Sequence, residues 1–278
     1  MDQIKFKLKT DNIKEFKSVM SDLSKISALV KLKIEDTNLL LYTADTAGDG
    51  ANATVLAFKT HTFPIDHFFD IKTDTNESSI DEFTGEENKQ EIMKIDWIIP
   101  NVKTVNKKLS FLSEKIDIKG SMKIRKTNND QPDYTRMVSL SDGKFKFSIS
   151  GGESHLMRDV SMDQLNKLLD PSNSEMNFSF STKEFLLGRS ASDIESGEDN
   201  KMVNIEIKNN GVYLSQSNWE MLVGKKEGED QKRKFSFNKK YLKSINPSVE
   251  EVHFYVFPSF LLYQEGNQKL MISFEQSF

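Results

Sequence analysis

One short script recurs four times along the sequence: a strand of alternating apolar residues, a polar or proline break, and a helix carrying lysine or arginine. The copies begin at Ile4-Lys5-Phe6-Lys7-Leu8 before Asp11, Trp97-Ile98-Ile99 before Pro100-Asn101, Phe178-Ser179-Phe180 before Ser181-Thr182, and Phe235-Ser236-Phe237 before Asn238. Equivalent units of this kind stack into internally symmetric bodies. A chain of 278 residues has room for two bodies of two units each.

The first predicted helix spans residues 11–27 and sets Ile13, Phe16, Met20, Leu23 and Ile26 on one stripe, with Lys14, Ser18, Ser21 and Lys25 on another. Period-two alternation over 30–34, 39–41 and 55–59 predicts three strands after it. Between Asp70 and Glu91 the pattern gives way to polar and acidic residues, which predicts an exposed, inserted acidic loop. Alternation resumes at Ile92–Ile99. A second helix, starting at Asn101, places Val102, Val105, Leu109, Leu112 and Ile116 on one face, and Lys103, Lys107 and Ser110 away from it. Strands over 118–124, 137–140 and 145–149 complete an N-terminal domain, 1–152, closed by Ser150-Gly151-Gly152.

Residues 153–176 read as an interdomain connector, with room for a short helix between Val160 and Leu169. A C-terminal domain, 177–278, repeats the order: a strand at 177–181, a helix at 182–194, strands at 202–208 and 211–217, and extended chain at 219–223. A strand at 232–238, a helix at 239–246 and three closing strands follow. The fold class is therefore α+β, two similar domains with two helices each on antiparallel sheet.

Charge is distributed unevenly. The chain carries a formal net charge of -4, yet the helix windows 11–27, 101–115, 182–195 and 239–246 hold twelve basic and seven acidic residues, a surplus of five. For any single helix, lysines solvating an exposed face explain this. Four helices in equivalent positions permit a joint account, in which they face one way and present a basic surface to phosphates without reading sequence.

Composition excludes other classes. With no cysteine there are no disulfides, thiolate metal sites or cysteine nucleophile. No apolar run reaches membrane-spanning length, and the N-terminus lacks the apolar block of a secretory signal, so an intracellular protein, of cytoplasm or nucleoid, is expected. Histidines 61, 67, 155 and 253 are dispersed without metal-ligand spacing. There is no phosphate-binding glycine loop, and Gly188-Arg189-Ser190-Ala191-Ser192 lacks the closing glycine of a nucleophile elbow. No enzyme, cofactor or metal is expected.

Two stretches carry a family resemblance: Phe180-Ser181-Thr182-Lys183-Glu184-Phe185-Leu186-Leu187 with Val203 to Leu214, and Tyr241-Leu242 through Phe254-Tyr255-Val256-Phe257-Pro258 to Leu270-Met271-Ile272-Ser273-Phe274-Glu275. Together with the element order over nearly the whole length, they resemble the DNA sliding clamps of the two-domain, trimeric kind, proliferating cell nuclear antigen and the clamps of tailed phages. The resemblance implies a ring whose helices line a central hole for duplex DNA, bound without sequence specificity. Its implied lining is Lys14, Lys17, Lys25, Lys103, Lys107, Lys108, Lys183, Arg189, Lys239, Lys240 and Lys243. It further implies a homotrimer, a DNA polymerase tethered for processive synthesis, and an ATP-dependent clamp loader. A partner-peptide pocket would use Leu156, Met157, Val160, Met162, Phe257, Pro258 and Phe274; ordinary core packing is the competing account of each. Ring closure by edge-strand pairing would use the strand at 144–149 and the segment 218–223, where Trp219 is either an anchor or a core aromatic. The alternative is a β-rich structural or assembly protein with repeated domains and no DNA role.

Overall fold

The computed structural model describes residues 2–35, 37–48, 53–72, 94–112, 114, 118–125, 133–194, 201–225 and 232–275. The chain divides into two compact units: Met1–Ser24, Ala28–Tyr42 and His61–Asp159 form unit 1, and Lys25–Ser27, Thr43–Thr60 and Val160–Phe278 form unit 2.

Unit 1 begins with β1 (Asp2–Leu8), a 3-10 turn at Thr10–Asn12 and α1 (Ile13–Leu23). Helix α1 buries Ile13, Phe16, Val19, Met20 and Leu23, which the helical repeat places on one face. Each contributes about 1.5–3 kcal/mol on burial, so packing holds this short helix more than propensity does. Next come β2 (Val30–Glu35), β3 (Asn38–Ala47), β4 (Thr54–Pro64), the single turn α2 (Ile65–Phe68) and β5 (Phe69–Lys72). After β6 (Lys94–Ile99), Asn101 starts α3 (Val102–Ser110) by accepting a hydrogen bond from the Thr104 amide at 3.0 Å. The strands β7 (Ile118–Arg125), β8 (Asp133–Ser141) and β9 (Lys146–Ser150) follow.

In unit 1, β1 pairs antiparallel with β5 and β7, β7 with β8, and β8 with β9. Strand β6 pairs antiparallel with β2, which pairs with β3, and meets β8 in a short parallel contact at Ile95–Asp133 and Asp96–Tyr134. Helices α1 and α3 lie side by side and share a core with the sheet residues Phe6, Leu32, Trp97 and Met122. Gly120 of β7 makes room for Phe6, whose ring would lie 2.2 Å from a Cβ at that position.

Past β9 the chain carries α4 (Met162–Leu168), opened by a reciprocal capping box between Ser161 and Gln164. Unit 2 then runs β10 (Met176–Ser181), α5 (Thr182–Ile194), β11 (Met202–Lys208), β12 (Gly211–Gln216), β13 (Trp219–Lys225) and β14 (Arg233–Asn238). A 3-10 helix at Lys239–Ser244 precedes β15 (Glu251–Val256), β16 (Phe260–Glu265) and β17 (Gln268–Ser273).

The pairings repeat those of unit 1. Strand β10 pairs with β15 as β1 does with β7, and β11 with β14 as β2 does with β6; β15, β16 and β17 meander as β7, β8 and β9 do. The part of β4 that belongs to unit 2, residues 54–60, lies beside β17, and β13-β12-β11-β14 form a second sheet. Both sheets and α5 enclose a core that includes Phe180, Phe185, Val203, Phe237 and Phe254. Gly224 lets β13 approach β10, since a Cβ there would lie 2.4 Å from the Ser179 carbonyl oxygen.

The α+β class with two similar domains holds. One predicted element differs: the fourth helix, expected over 239–246, is a six-residue 3-10 helix. It is confined between Asn238, whose side chain accepts from the Lys240 amide at 3.1 Å, and Pro247, which disfavours helix in the residue before it. Its last carbonyl, that of Ser244, accepts from the buried Lys59 of β4 at 2.5 Å. Asp70, Ile71 and Lys72, assigned to the acidic loop from sequence, are instead strand, paired with β1; the rest of that loop, and Ile116, lie outside the described residues.

Candidate functional site

The basic residues singled out from sequence sit on the polar faces of the helices, and their surroundings separate them into two groups. In unit 1, Lys14, Lys103 and Lys107 are exposed on α1 and α3, opposite the buried stripes. Lys17 donates to Glu114 at 3.0 Å, and Lys14 lies 3.5 Å from the same carboxylate. The Lys17 hydrogen bond, with the charge of both lysines, holds the Glu114 carboxyl below its ordinary range. Lys108 donates to the Ser148 carbonyl of β9 at 3.0 Å. Lys25, which follows α1 in the chain and belongs to unit 2, is exposed.

In unit 2, Lys183 is exposed in the first turn of α5. Arg189 turns to the Ile245 carbonyl, with Asn246 at 3.4 Å, and Lys239 donates to the Ser192 carbonyl at 2.8 Å. Both tie α5 to the neighbouring 3-10 segment. Lys240 pairs with Asp45 at 2.6 Å, beside the Tyr241 hydroxyl on the same oxygen, and Lys243 pairs with Asp193 at 2.9 Å. Burial, then the bond to Asp45 and that charge, push the Tyr241 phenol above its ordinary value.

The seven residues assigned to a peptide pocket divide between the units. Leu156 is exposed and Met157 buried in unit 1. In unit 2, Val160 and Met162 are half-buried, Phe257 stacks on Phe260 with ring centroids 4.4 Å apart, Pro258 is exposed, and Phe274 stacks on Phe235 at 4.7 Å. Phe257 and Phe274 thus have intramolecular partners, as the core-packing account requires.

The two segments assigned to edge pairing are edge strands. Among the described residues, strand β9 pairs with β8 alone and β13 with β12 alone. Beside β9 stand Phe111, Phe145 and Phe147, with ring centroids 6.3–6.4 Å apart; Phe111 is 62% and Phe145 48% exposed. On β13, Leu222 is exposed, while Trp219 packs against the core and donates to Gln216 at 3.3 Å. The core account of Trp219 is the one its surroundings favour.

A buried ionic cluster in unit 1 has no counterpart among the residues singled out from sequence. Lys31 and Lys33 on β2, Asp96 on β6, and Asp159 after β9 converge there with Tyr42 of β3. The alternation Val30-Lys31-Leu32-Lys33-Ile34 signals a strand with its lysines in solvent, and nothing local marks them as buried.

Among the described residues no group of three histidine, aspartate or glutamate side chains is placed to hold a metal ion, and no helix is long and apolar enough to cross a membrane. The histidines act separately: His61 lies 3.1 Å from Asp22 and His67 2.8 Å from Glu15.

The order of elements, the repeated pairings and the helices packed on one side of the unit 1 sheet define the fold of the DNA sliding clamps. The chain is similar over 99% of its length to 98% of proliferating cellular nuclear antigen from Entamoeba histolytica, at 14% identity and a TM-score of 0.57. The same antigen from Thermococcus kodakaraensis matches 97% of the chain over its full length, at 12% identity and 0.57. The beta subunit of DNA polymerase III from Thermotoga maritima matches at 16% identity and 0.59, the chain spanning 66% of its length. No protein-family model and no curated protein matches the sequence.

Proposed function

We propose that this chain is a sliding clamp, a ring that encircles duplex DNA and holds DNA polymerase on its template without performing bond chemistry. The observation that carries the reading is the polar face of the helices in a clamp fold. Apolar stripes on α1 and α3 pack down on the sheet, and Lys14, Lys103 and Lys107 stand on the other side. In unit 2, Lys183 is likewise exposed on α5, and Lys240 and Lys243 are exposed on the 3-10 helix beside Asp45 and Asp193. Lysine is a hydrated point charge that suits phosphate attraction without base readout.

Ring closure by head-to-tail pairing of β9 on one copy with β13 on the next would satisfy both open edges and cover the phenylalanines beside β9. Leu156, Met157, Val160 and Met162, with Phe257, Pro258 and Phe274, are the corresponding proposal for partner peptides. A polymerase and an ATP-dependent loader are the partners, and the protein works inside the cell.

Two measurements test the reading. Native mass spectrometry should give a trimer of about 96 kDa, three times 31.9 kDa; a monomer at every concentration would sink the ring. After loading, the protein should be retained on circular DNA and released from the same DNA once linearised. Equal release from both overturns encirclement and favours the structural, DNA-independent alternative.

A further inference from the structure

Helix α1 carries four charged side chains, Lys14, Glu15, Lys17 and Asp22. Its two carboxylates meet histidines of the same unit: Glu15 stands 2.8 Å from His67 and Asp22 3.1 Å from His61. Those histidines flank Phe63, whose ring stacks with His67 at a centroid distance of 5.2 Å and with His61 at 6.3 Å. The acids of the helix are thus engaged away from its lysines.

Lys14 and Lys17, three residues apart, are neighbours on one helix face, and like charges so placed repel. Both meet a single carboxylate from outside the helix. Glu114, in the segment after α3, puts Oε1 3.0 Å from the Lys17 ammonium and Oε2 3.5 Å from that of Lys14. Each lysine therefore has its own oxygen, as it would on the two non-bridging oxygens of a phosphodiester. Helices α1 and α3 lie side by side, and the buried Leu112 anchors the chain just before Glu114.

Among the described residues no other carboxylate is ion-paired with Lys14 or Lys17. Withdrawing Glu114 leaves two adjacent ammonium groups with no shared counter-ion. Glu114 is 39% and Lys14 78% exposed, so an anion in solution reaches the pair, and an exposed bridge of this kind is weak enough to exchange. Helix α3 differs: Lys103 and Lys107 are exposed, and no carboxylate of the described residues is ion-paired with them. One helix presents its charge openly, and the other presents it already matched.

We propose that Lys14 and Lys17 form a phosphate-binding pair whose resident occupant is Glu114, so that α1 engages a phosphodiester backbone only by displacing that carboxylate. The backbone as ligand rests on the sliding-clamp reading; the competition between Glu114 and a phosphate does not. Glu114 then weakens the hold of α1 on phosphates without contacting them.

The test uses the full-length chain and two probes, a short linear duplex and sodium tripolyphosphate, each titrated by calorimetry across a chloride series. Glu114→Gln should bind duplex more tightly than the parent and steepen the dependence of log affinity on log salt by about 0.9 for each lysine newly engaged. Adding Lys14→Ala and Lys17→Ala should abolish the gain, whereas a general effect of net charge would persist in that background. Glu114→Ala, which also removes the hydrogen bond to Lys17, is read in the same way. A gain for duplex, with or without one for tripolyphosphate, supports the proposal; a gain for tripolyphosphate alone overturns the backbone as its ligand. A folded variant, judged by its melting temperature, that binds neither probe more tightly overturns the proposal, as does a gain that survives loss of both lysines. Retention on circular DNA is measured alongside: its failure with the gain intact strikes the clamp reading alone, and its success without the gain strikes the exchange at Glu114 alone.

Discussion

Lys31 and Asp96 are ion-paired across neighbouring strands β2 and β6, with neither side chain more than 1% exposed. Burial pulls the Lys31 ammonium toward its neutral form, but the neighbouring Tyr42, Asp96 and Asp159 outweigh that and hold its pKa above the ordinary value. Burial dominates at Asp96 and raises its carboxyl, against the opposing charge of Lys31. The pair is a structural commitment. Removing one member costs far more than removing both.

Lys31→Met is accordingly expected to lower stability by about 3–5 kcal/mol, because Asp96 is left buried without its cation. Lys31→Met combined with Asp96→Leu should recover most of that decrease. Urea denaturation of the two variants measures the difference, and equal decreases would show that the pair is not coupled.

Asp159 predicts a pH signature. Burial raises its carboxyl, but the hydrogen bond and charge of Lys31, with Lys33, outweigh that and hold it below its ordinary value of 3.8. A carboxylate with a depressed folded pKa stabilises above its unfolded pKa, and the contribution is lost as pH falls through the folded one. The stability gap between the parent and Asp159→Asn should thus be constant from neutral pH to about 5 and shrink below about 4. Asp96, Glu35, Lys31, Lys33 and Tyr42 face Asp159 in both proteins, so the comparison isolates one group. A gap that widens in acid contradicts the assignment.

The helix lysines separate by partner. Replacing Lys103, Lys107 and Lys183 together with alanine should flatten the dependence of log affinity on log salt by about 0.9 for each phosphate that is no longer neutralised. Stability should change by no more than about 0.5 kcal/mol. Arg189→Ala should do the reverse: without its bond to the Ile245 carbonyl, stability should fall by roughly 1–2 kcal/mol while the salt slope stays intact. DNA binding across a salt series, beside thermal melts, discriminates the two sets.

Phe145→Asp tests the β9 edge. If the proposed ring forms through this edge, the substitution should convert it to the 31.9 kDa monomer while the monomer's own stability moves by less than about 0.5 kcal/mol, since Phe145 is exposed within the chain. Persistence of the trimer by native mass spectrometry removes this edge from the assembly.

Legibility from sequence follows the range of the interactions involved. Helices α1, α3 and α5 and most strands are visible because a stripe such as Ile13, Phe16, Met20 and Leu23 is written in local periodicity. The turn α2 and strand β5 are not, because Ile65–Lys72 is too short for a period to show, and β5 exists through its pairing with β1. The α-helix expected at 239–246 is a 3-10 helix that ends at Ser244, a choice between two helical hydrogen-bond patterns that apolar spacing over so short a window does not make.

The candidate site divides in the same way. Which lysines lie on polar helix faces is set by residue order, since 3.6 residues per turn fixes the face. Which of them are held by the chain itself is decided by carbonyls and carboxylates distant in sequence: Arg189 and Lys239 are anchored on such carbonyls, whereas Lys103 and Lys183 stand exposed. The sequence alone determined the fourfold script, the α+β class and the basic bias of the helices, because these are properties of short windows. Only the tertiary structure turned Lys31 and Lys33 from solvent-facing strand lysines into buried cations. Their shared counter-ion, Asp159, lies well over a hundred residues away, and no local pattern encodes a partner at that separation.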